Sequence, residues 1–163
     1  MIDYFLSADD EYLRLLGADR TKFPSREEWL RRALSDHDAP DERKDRLWVA
    51  WIYNGRPVGH SSVNQIRIGE EAYIHLHLWE PSLRKSGLGT EFFRKSVDFY
   101  FDRLKLKRLF CEPHAENPAP NKVLPKLGFR LVKRHRTVPG PINFEQDANL
   151  YELPRDDWKR SRL

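Results

Sequence analysis

The stretch that decides the fold is Arg84-Lys85-Ser86-Gly87-Leu88-Gly89-Thr90. Before it, residues 74–79 alternate in side-chain character at period two, which predicts a strand. After it, residues 90–104 place apolar side chains on one stripe of a helix. A glycine-containing loop between a strand and a helix binds anions, because backbone N–H groups and the positive end of the helix dipole converge there. Since Arg84 and Lys85 add positive charge, the stretch predicts a site for a phosphate-bearing molecule.

The composition indicates one folded domain, which we place at residues 1–154, followed by a frayed tail at residues 155–163. Hydrophobic residues make up 39% of the 163 residues and aromatic residues 12%, so the chain is not of the disordered class. The net charge is +4, from 29 basic and 25 acidic residues that are interspersed along the chain. This balance favours a protein that binds a polyanionic small molecule over one that binds nucleic acid.

Cysteine content and hydropathy restrict the cellular compartment that we expect for the protein. The single cysteine, Cys111, excludes an internal disulfide and a cysteine-rich metal site, and its apolar surroundings favour a buried, inert thiol. No apolar stretch approaches the roughly 20 residues of a membrane span. Acidic residues at positions 3 and 9–11 stand where a signal peptide would have a basic region. We therefore expect a cytoplasmic protein with no membrane and no nucleic-acid partner.

Turn and periodicity signals predict the element order β-α-α-β-β-β-α-β-α-β-β. The first strand is assigned to Met1–Leu6, and Asn54-Gly55 predicts a tight hairpin. The strand at residues 108–112 follows a helical crossover, so it should lie parallel to the strand at residues 74–79. The order predicts an α/β fold. Its mixed sheet has six to seven strands, an antiparallel N-terminal meander and helices on both faces.

A short helix before Gly128 contains Pro125. Proline removes one backbone hydrogen bond and clashes with the preceding turn. The sequence therefore predicts a kinked or split helix from Pro120 to Leu127.

Two motifs carry a resemblance to a known family. Residues 84–89 resemble the Arg/Gln-x-x-Gly-x-Gly/Ala loop of the GCN5-related N-acetyltransferase (GNAT) superfamily. Asn117, with Lys126-Leu127-Gly128-Phe129 downstream, resembles the second motif of that superfamily. Residues 89–102 and 149–153 are similar to the branch that acetylates ribosomal-protein N-termini. The resemblance covers roughly residues 46–153.

The resemblance implies a GNAT fold with a splayed parallel pair of central strands that holds acetyl-CoA. The implied function is acetyl transfer to a primary amine, of a protein N-terminus, a lysine or a small molecule, by direct transfer in a ternary complex. The alternative is a non-catalytic CoA-binding or regulatory module of the same fold. The residues implied in acetyl-CoA binding are Leu78, Trp79, Arg84, Lys85, Ser86, Gly87, Leu88, Gly89, Thr90 and Asn117.

Acetyl transfer to an amine needs a base, since amines are protonated at neutral pH. The period-two pattern places His75 and His77 on one face of their strand, beside the implied thioester site. Glu112 ends the neighbouring strand, where it either orients His77 or acts as the base itself, and His114 is a further candidate. The alternative is that both histidines only form hydrogen bonds across the sheet. We find no convincing set of metal ligands among them.

Many family members supply an acid from a tyrosine seven residues after the motif asparagine, and that position is Leu124 here. Tyr151 and Tyr100 are candidate substitutes. Asn121 also departs from the family pattern, because it replaces a small residue.

The acceptor pocket is implied to lie between residues 20–35 and residues 139–144. Aromatic and basic side chains in these segments suggest an acidic or aromatic acceptor; they are Trp29, Arg31, Arg32 and Phe144. A polar stripe on one strand is either a part of this pocket or a solvated face; it consists of His60, Ser62 and Asn64.

Overall fold

The computed structural model describes residues 1–160 as six α-helices around one mixed sheet. The helices are α1 (Ile2–Leu6), α2 (Asp10–Leu15), α3 (Arg26–Asp38), α4 (Leu88–Arg103), α5 (Pro118–Lys126) and α6 (Arg155–Arg160). The strands are β1 (Arg46–Tyr53), β2 (Arg56–Arg67), β3 (Glu71–Leu78), β4 (Arg108–Cys111), β5 (Arg130–Thr137) and β6 (Gln146–Pro154). They pair in the order β1-β2-β3-β4-β6-β5. The predicted fold class is confirmed.

The N-terminal meander forms where the turn signals predict it. Asn54 and Gly55 have φ of +49° and +73°, as the tight hairpin between β1 and β2 requires. Gly69, with φ of +77°, turns β2 into β3. Both pairings are antiparallel.

The parallel pair β3–β4 is short, and this positions the site. Only three residue pairs connect the strands, from Glu71 with Arg108 to Tyr73 with Phe110. Beyond Tyr73, β3 continues to Leu78 without β4 beside it. The predicted splay of the central strands is therefore present.

The core lies between α4 and the sheet. Phe93, Val97 and Tyr100 of α4 are fully buried, and they pack with Val63 and Ile74 of β2 and β3. Alternate residues of the same strands point to the opposite face, which is left for the site.

The strand predicted at Met1–Leu6 is wrong, because residues 2–6 form the helix α1. The buried Phe5 stacks on Trp29 of α3 at 5.5 Å between ring centroids and belongs to a second, smaller core. A five-residue segment is too short to have a readable period, and here aromatic packing against α2 and α3 decides its conformation.

Gly17 anchors these N-terminal helices to the sheet. Its carbonyl oxygen accepts hydrogen bonds from Gln146 Nε2 at 2.9 Å, Asn143 Nδ2 at 2.8 Å and the Phe144 N–H at 3.3 Å. Gly17 has φ of +71°, and a Cβ there would lie 2.0 Å from Gln146 Oε1. Only glycine allows this close approach.

The frayed tail is also a wrong prediction over Arg155–Arg160, which form α6. Trp158 is buried, and its Nε1–H donates to Asp98 Oδ1 at 2.8 Å. The buried Trp158 side chain therefore orders this charged segment. Residues 161–163 of the predicted tail lie outside the described residues.

The predicted helix is kinked or split at Pro125, and of these alternatives the split is wrong, because α5 is one uninterrupted element. Pro125 lies in its last turn, where the missing N–H removes one hydrogen bond. The Phe129 N–H bonds to Leu124 O at 3.1 Å and the Gly128 N–H to Pro125 O at 3.1 Å, which close the helix end.

We predict that Gly17→Ala destabilises the protein more than Gly69→Ala does. Both glycines have positive φ, but a Cβ at Gly69 would meet nothing within 4 Å. The backbone strain alone costs about 1 kcal/mol. Displacing the buried Gln146 side chain adds about 1–3 kcal/mol. Urea unfolding of both variants measures the difference, and equal losses would contradict the anchoring role of Gly17.

Candidate active site

A cleft of about 1710 Å³ opens where β3 and β4 diverge. One wall is made by α1–α3, and the floor is made by one face of β1–β3. The remaining edges are formed by the loop at residues 84–90 and the start of α5.

The loop at residues 84–90 places at this cleft a helix N-terminus whose N-cap residue has no side chain. Gly87 is the N-cap residue of α4, has φ of +86° and provides no side-chain cap. Ser86 Oγ donates to Leu83 O at 2.7 Å and accepts from the Leu88 N–H at 3.3 Å, which holds the turn. A Cβ at Gly87 would meet nothing within 4 Å, so the approach to this backbone is open. The geometry is that of an anion site.

Arg84 connects the loop to its surroundings. Its guanidinium donates to Leu78 O at 3.3 Å and lies over the Tyr12 ring, 4.7 Å from the centroid. Arg84 therefore joins the loop to the end of β3 and to α2. Lys85, with φ of +65°, is exposed at the loop surface.

The backbone N–H groups of Leu78 and Trp79, at the end of β3, point in opposite directions. The Trp79 N–H donates to Val58 O at 2.8 Å, so it faces β2. N–H groups alternate in direction along an antiparallel strand, so the Leu78 N–H faces the side from which β4 has diverged. Leu78 can therefore offer its N–H to a ligand, whereas the N–H of Trp79 is already used within the sheet.

A polar face forms the floor of the cleft. Strand register places its residues on one side of the sheet: Arg46, Trp48, His60, Ser62, Asn64, His75 and His77. The predicted polar stripe of β2 is thus a part of the cleft.

The two candidate histidines of β3 have different contacts. His75 Nε2 lies 2.9 Å from Asn64 Oδ1, which is a hydrogen bond across the sheet. The His77 ring stacks on His60 at 5.0 Å, and its Nδ1 lies 3.4 Å from the Tyr4 hydroxyl. His60 accepts the Trp79 Nε1–H at Nδ1, at 2.9 Å.

Burial keeps these histidines neutral. Desolvation, with a contribution from the Arg46 charge, lowers the pKa of His75 and of His77 to about 3. Desolvation also lowers the pKa of His60 well below its usual range. A base works best with a pKa near the working pH, so both His75 and His77 are weak proton acceptors here.

Glu112 does not orient His77 as one alternative predicted. Its carboxylate Oε1 lies 2.6 Å from His135 Nε2 of β5 and is 11% exposed as a side chain. His135 was not a sequence candidate, because only the β4-β6-β5 strand order brings β5 close to Glu112. Glu112 lines the cleft and keeps one carboxylate oxygen outside this bond.

Asn117 and Asn121 organise the start of α5. Asn117 Oδ1 accepts the Ala119 N–H at 3.3 Å, which is the N-cap that its position predicts. Asn121 Nδ2 donates to Asn117 O at 2.7 Å and to His114 O at 2.9 Å. His114 and Asn117 both line the cleft.

The two tyrosines considered as acids do not line the cleft. The Tyr100 hydroxyl lies in the core, 3.0 Å from Ser61 Oγ, and the Tyr151 hydroxyl donates to Asn121 Oδ1 at 3.0 Å. Tyr4 and Tyr12 line it instead, with their hydroxyls 2.8 Å apart. The strand prediction for Met1–Leu6 hides Tyr4, and no local signal in the sequence brings Tyr12 of α2 to the cleft.

Residues 1–160 contain no cluster of three or more histidine, cysteine or acidic side chains arranged to hold a metal ion. Within the same residues, no helix has the length and apolar character to cross a membrane.

A family model described as the acetyltransferase (GNAT) domain matches residues 2–130. The chain therefore belongs to the GNAT acetyltransferase family, and the strand order, the parallel β3–β4 pair and the loop before α4 are the features that express it.

Solved structures agree on the fold. Ribosomal-protein-S5-alanine acetyltransferase from Vibrio fischeri matches with a TM-score of 0.72 at 18% identity, over 96% of this chain and 87% of that chain. Spermidine/spermine N-acetyltransferase SpeG from Vibrio cholerae matches at 0.69 and 15% identity, over 83% and 78%. Aminoglycoside acetyltransferase AAC(6′)-Ib in complex with coenzyme A matches at 0.63 and 19% identity, over 75% and 73%.

We predict that stability falls as the pH falls from about 6.5 toward 3. In this window the unfolded chain binds protons at His75 and His77 that the folded chain does not bind. Each histidine then costs about 1.4 kcal/mol per pH unit. Urea unfolding at pH 7 and pH 5 measures the loss. The control is His77→Gln, which should lower the pH dependence by about one proton; an unchanged dependence would contradict the depressed pKa.

Proposed function

We propose that this protein is an N-acetyltransferase that moves the acetyl group of acetyl-CoA to a primary amine by direct transfer in a ternary complex. One observation carries the proposal: the Leu78 N–H on the open edge of β3 and the N-terminus of α4 border the same cleft. The Leu78 N–H suits a thioester carbonyl oxygen, and the helix N-terminus suits a pyrophosphate. The coenzyme A bound to a protein of the same fold supports this choice of donor.

On the donor side, backbone groups do most of the binding. The N–H groups at the start of α4 and its dipole would hold the pyrophosphate, with Lys85 nearby as a cation. The pantetheine arm would run between β3 and β4, beside Asn117. The Leu78 N–H would donate to the thioester oxygen and stabilise the charge that develops there.

In the reaction, the amine nitrogen attacks the thioester carbon and loses one proton as the C–N bond forms. The C–S bond then breaks and releases CoA thiolate, which leaves readily because a thiol has a pKa of about 8.5. We assign the base to Glu112, which His135 holds in place, either directly or through water. His75 and His77 stay neutral and would orient the amine as hydrogen-bonding groups.

The second candidate is a CoA-binding module without turnover. The observation that favours it is Leu124, fully buried where many family members have a tyrosine acid. Turnover with a panel of amines separates the two functions. Acetyl-CoA binding without transfer to any amine would favour the module.

We predict that Gly87→Glu lowers acetyl-CoA affinity by about 100-fold or more, because a carboxylate and a strained backbone would replace the anion site. Gly69→Glu is the matched control: its φ is also positive, its Cβ also meets open space, and it adds the same charge far from the cleft. Isothermal titration calorimetry measures both. Unchanged affinity in Gly87→Glu would remove the donor assignment.

We predict that Glu112→Gln lowers kcat by about 100-fold while the dissociation constant of acetyl-CoA is retained, since a positioned base contributes about that much. Glu70→Gln, an exposed carboxylate paired with Lys107, is the control and should have wild-type turnover. Steady-state release of CoA thiol measures kcat. Wild-type turnover by Glu112→Gln would make the base assignment wrong.

A further inference from the structure

Arg46 is a half-buried cation in the cleft without a carboxylate in ion-pair contact, among the residues that the structure describes. Its guanidinium lies over the Trp48 ring, 5.1 Å from the centroid. By contrast, Arg20, Arg103 and Arg108 each form an ion pair on the protein surface. Arginine stays charged in proteins, so Arg46 brings a positive charge to the cleft lining.

Asp36 is close enough to influence the charge of Arg46, but the described residues form no ion pair between the two side chains. The Asp36 carboxylate instead accepts hydrogen bonds from the backbone N–H groups of Asp45 and Arg46. Burial raises the pKa of Asp36 and lowers that of Arg46, so desolvation acts on both groups.

Two neutral donors lie beside Arg46 on the polar face. Trp48 Nε1 and Ser62 Oγ are buried and have no hydrogen-bond partner within the described part of the chain. Trp48 and Ser62 pair directly across β1 and β2, two residues along the strands from the pair of Arg46 with Asn64 and on the same face. Buried donors are normally satisfied, so these two point to a ligand that accepts hydrogen bonds.

The register gives the distance from this group to the reaction site. Arg46, Asn64 and Tyr73 lie side by side on the three neighbouring strands. His60 and His77 lie side by side four residues further along, near the end of β3. Ser62, which pairs with Trp48, is two residues from His60, so the proposed carboxylate group lies about 7 Å along the strands from the His77 end. An acceptor that spans this distance has several bonds between its amine and its carboxylate.

We propose that the acceptor is an amine that carries a carboxylate several bonds away, and that Arg46, Trp48 Nε1–H and Ser62 Oγ–H hold this carboxylate. The proposal rests on the proposed function, since it names the acceptor class of the same site. One planar guanidinium matches one carboxylate in charge and in its two-pronged geometry. The pocket thereby selects amines at the far end of an acidic molecule.

The test compares 6-aminohexanoate with its amide, 6-aminohexanamide, as acceptors. The wild type should have a kcat/KM about 10- to 100-fold higher for the acid, which is the usual value of a charged hydrogen bond. Arg46→Gln should remove this preference by lowering kcat/KM for the acid alone, and Arg46→Lys should keep a part of it. Arg43→Gln, an exposed arginine outside the cleft, should behave as wild type.

Equal kcat/KM for acid and amide in the wild type, or an unchanged preference in Arg46→Gln, would overturn the carboxylate site and leave the proposed function standing. Calorimetry with 6-aminohexanoate provides the second measurement. If 6-aminohexanoate binds and this binding is lost in Arg46→Gln, but the wild type turns over neither it nor any amine of the panel, the carboxylate site is supported and the proposed function is overturned. If 6-aminohexanoate does not bind and no amine of the panel is turned over, both are overturned.

Discussion

The short pairing of β3 with β4 is the constraint on which the rest of the site depends. The Glu71–Arg108 ion pair at 2.8 Å and the Tyr73–Phe110 ring contact at 5.2 Å hold the closed end. Beyond Tyr73 no residue of β3 pairs with β4. Backbone N–H groups of β3 on that side have no strand partner there, so water or a ligand must satisfy them.

The polar face requires that β2 and β3 approach closely, and Gly59 permits this. A Cβ at Gly59 would lie 2.6 Å from His77 O and 2.7 Å from the Trp51 ring. Glycine therefore lets the Trp51 indole pack beneath the strands while His60 and His77 stack above them at 5.0 Å. Core packing and the desolvated histidines thus depend on the same position.

Local signals predicted much of this fold, and long-range contacts account for the rest. The Asn54-Gly55 hairpin, the Gly87 loop and the Asn117 cap are set by backbone conformation within a few residues, so they are readable in sequence. The α1 helix is fixed by aromatic contacts with Tyr12, Trp29 and His77, which lie in other elements, and the Glu112–His135 pair by strand order. Neither leaves a periodic pattern, which is why the polar face was predicted but the partner of Glu112 was not.

The proposed donor and acceptor sites rest on different parts of the chain, and this has a physical consequence. The proposed donor site uses mainly backbone groups, at Leu78 and the start of α4, so we expect side-chain substitutions nearby to alter it little provided that Gly87 is kept. The proposed acceptor floor uses side chains of β1–β3 that alternate with core residues such as Val63 and Ile74. Replacing Arg46 or Ser62 therefore changes the chemistry of the floor without touching the packing against α4. In this proposal, substitutions on the floor can change which acceptor binds while the binding of acetyl-CoA is kept.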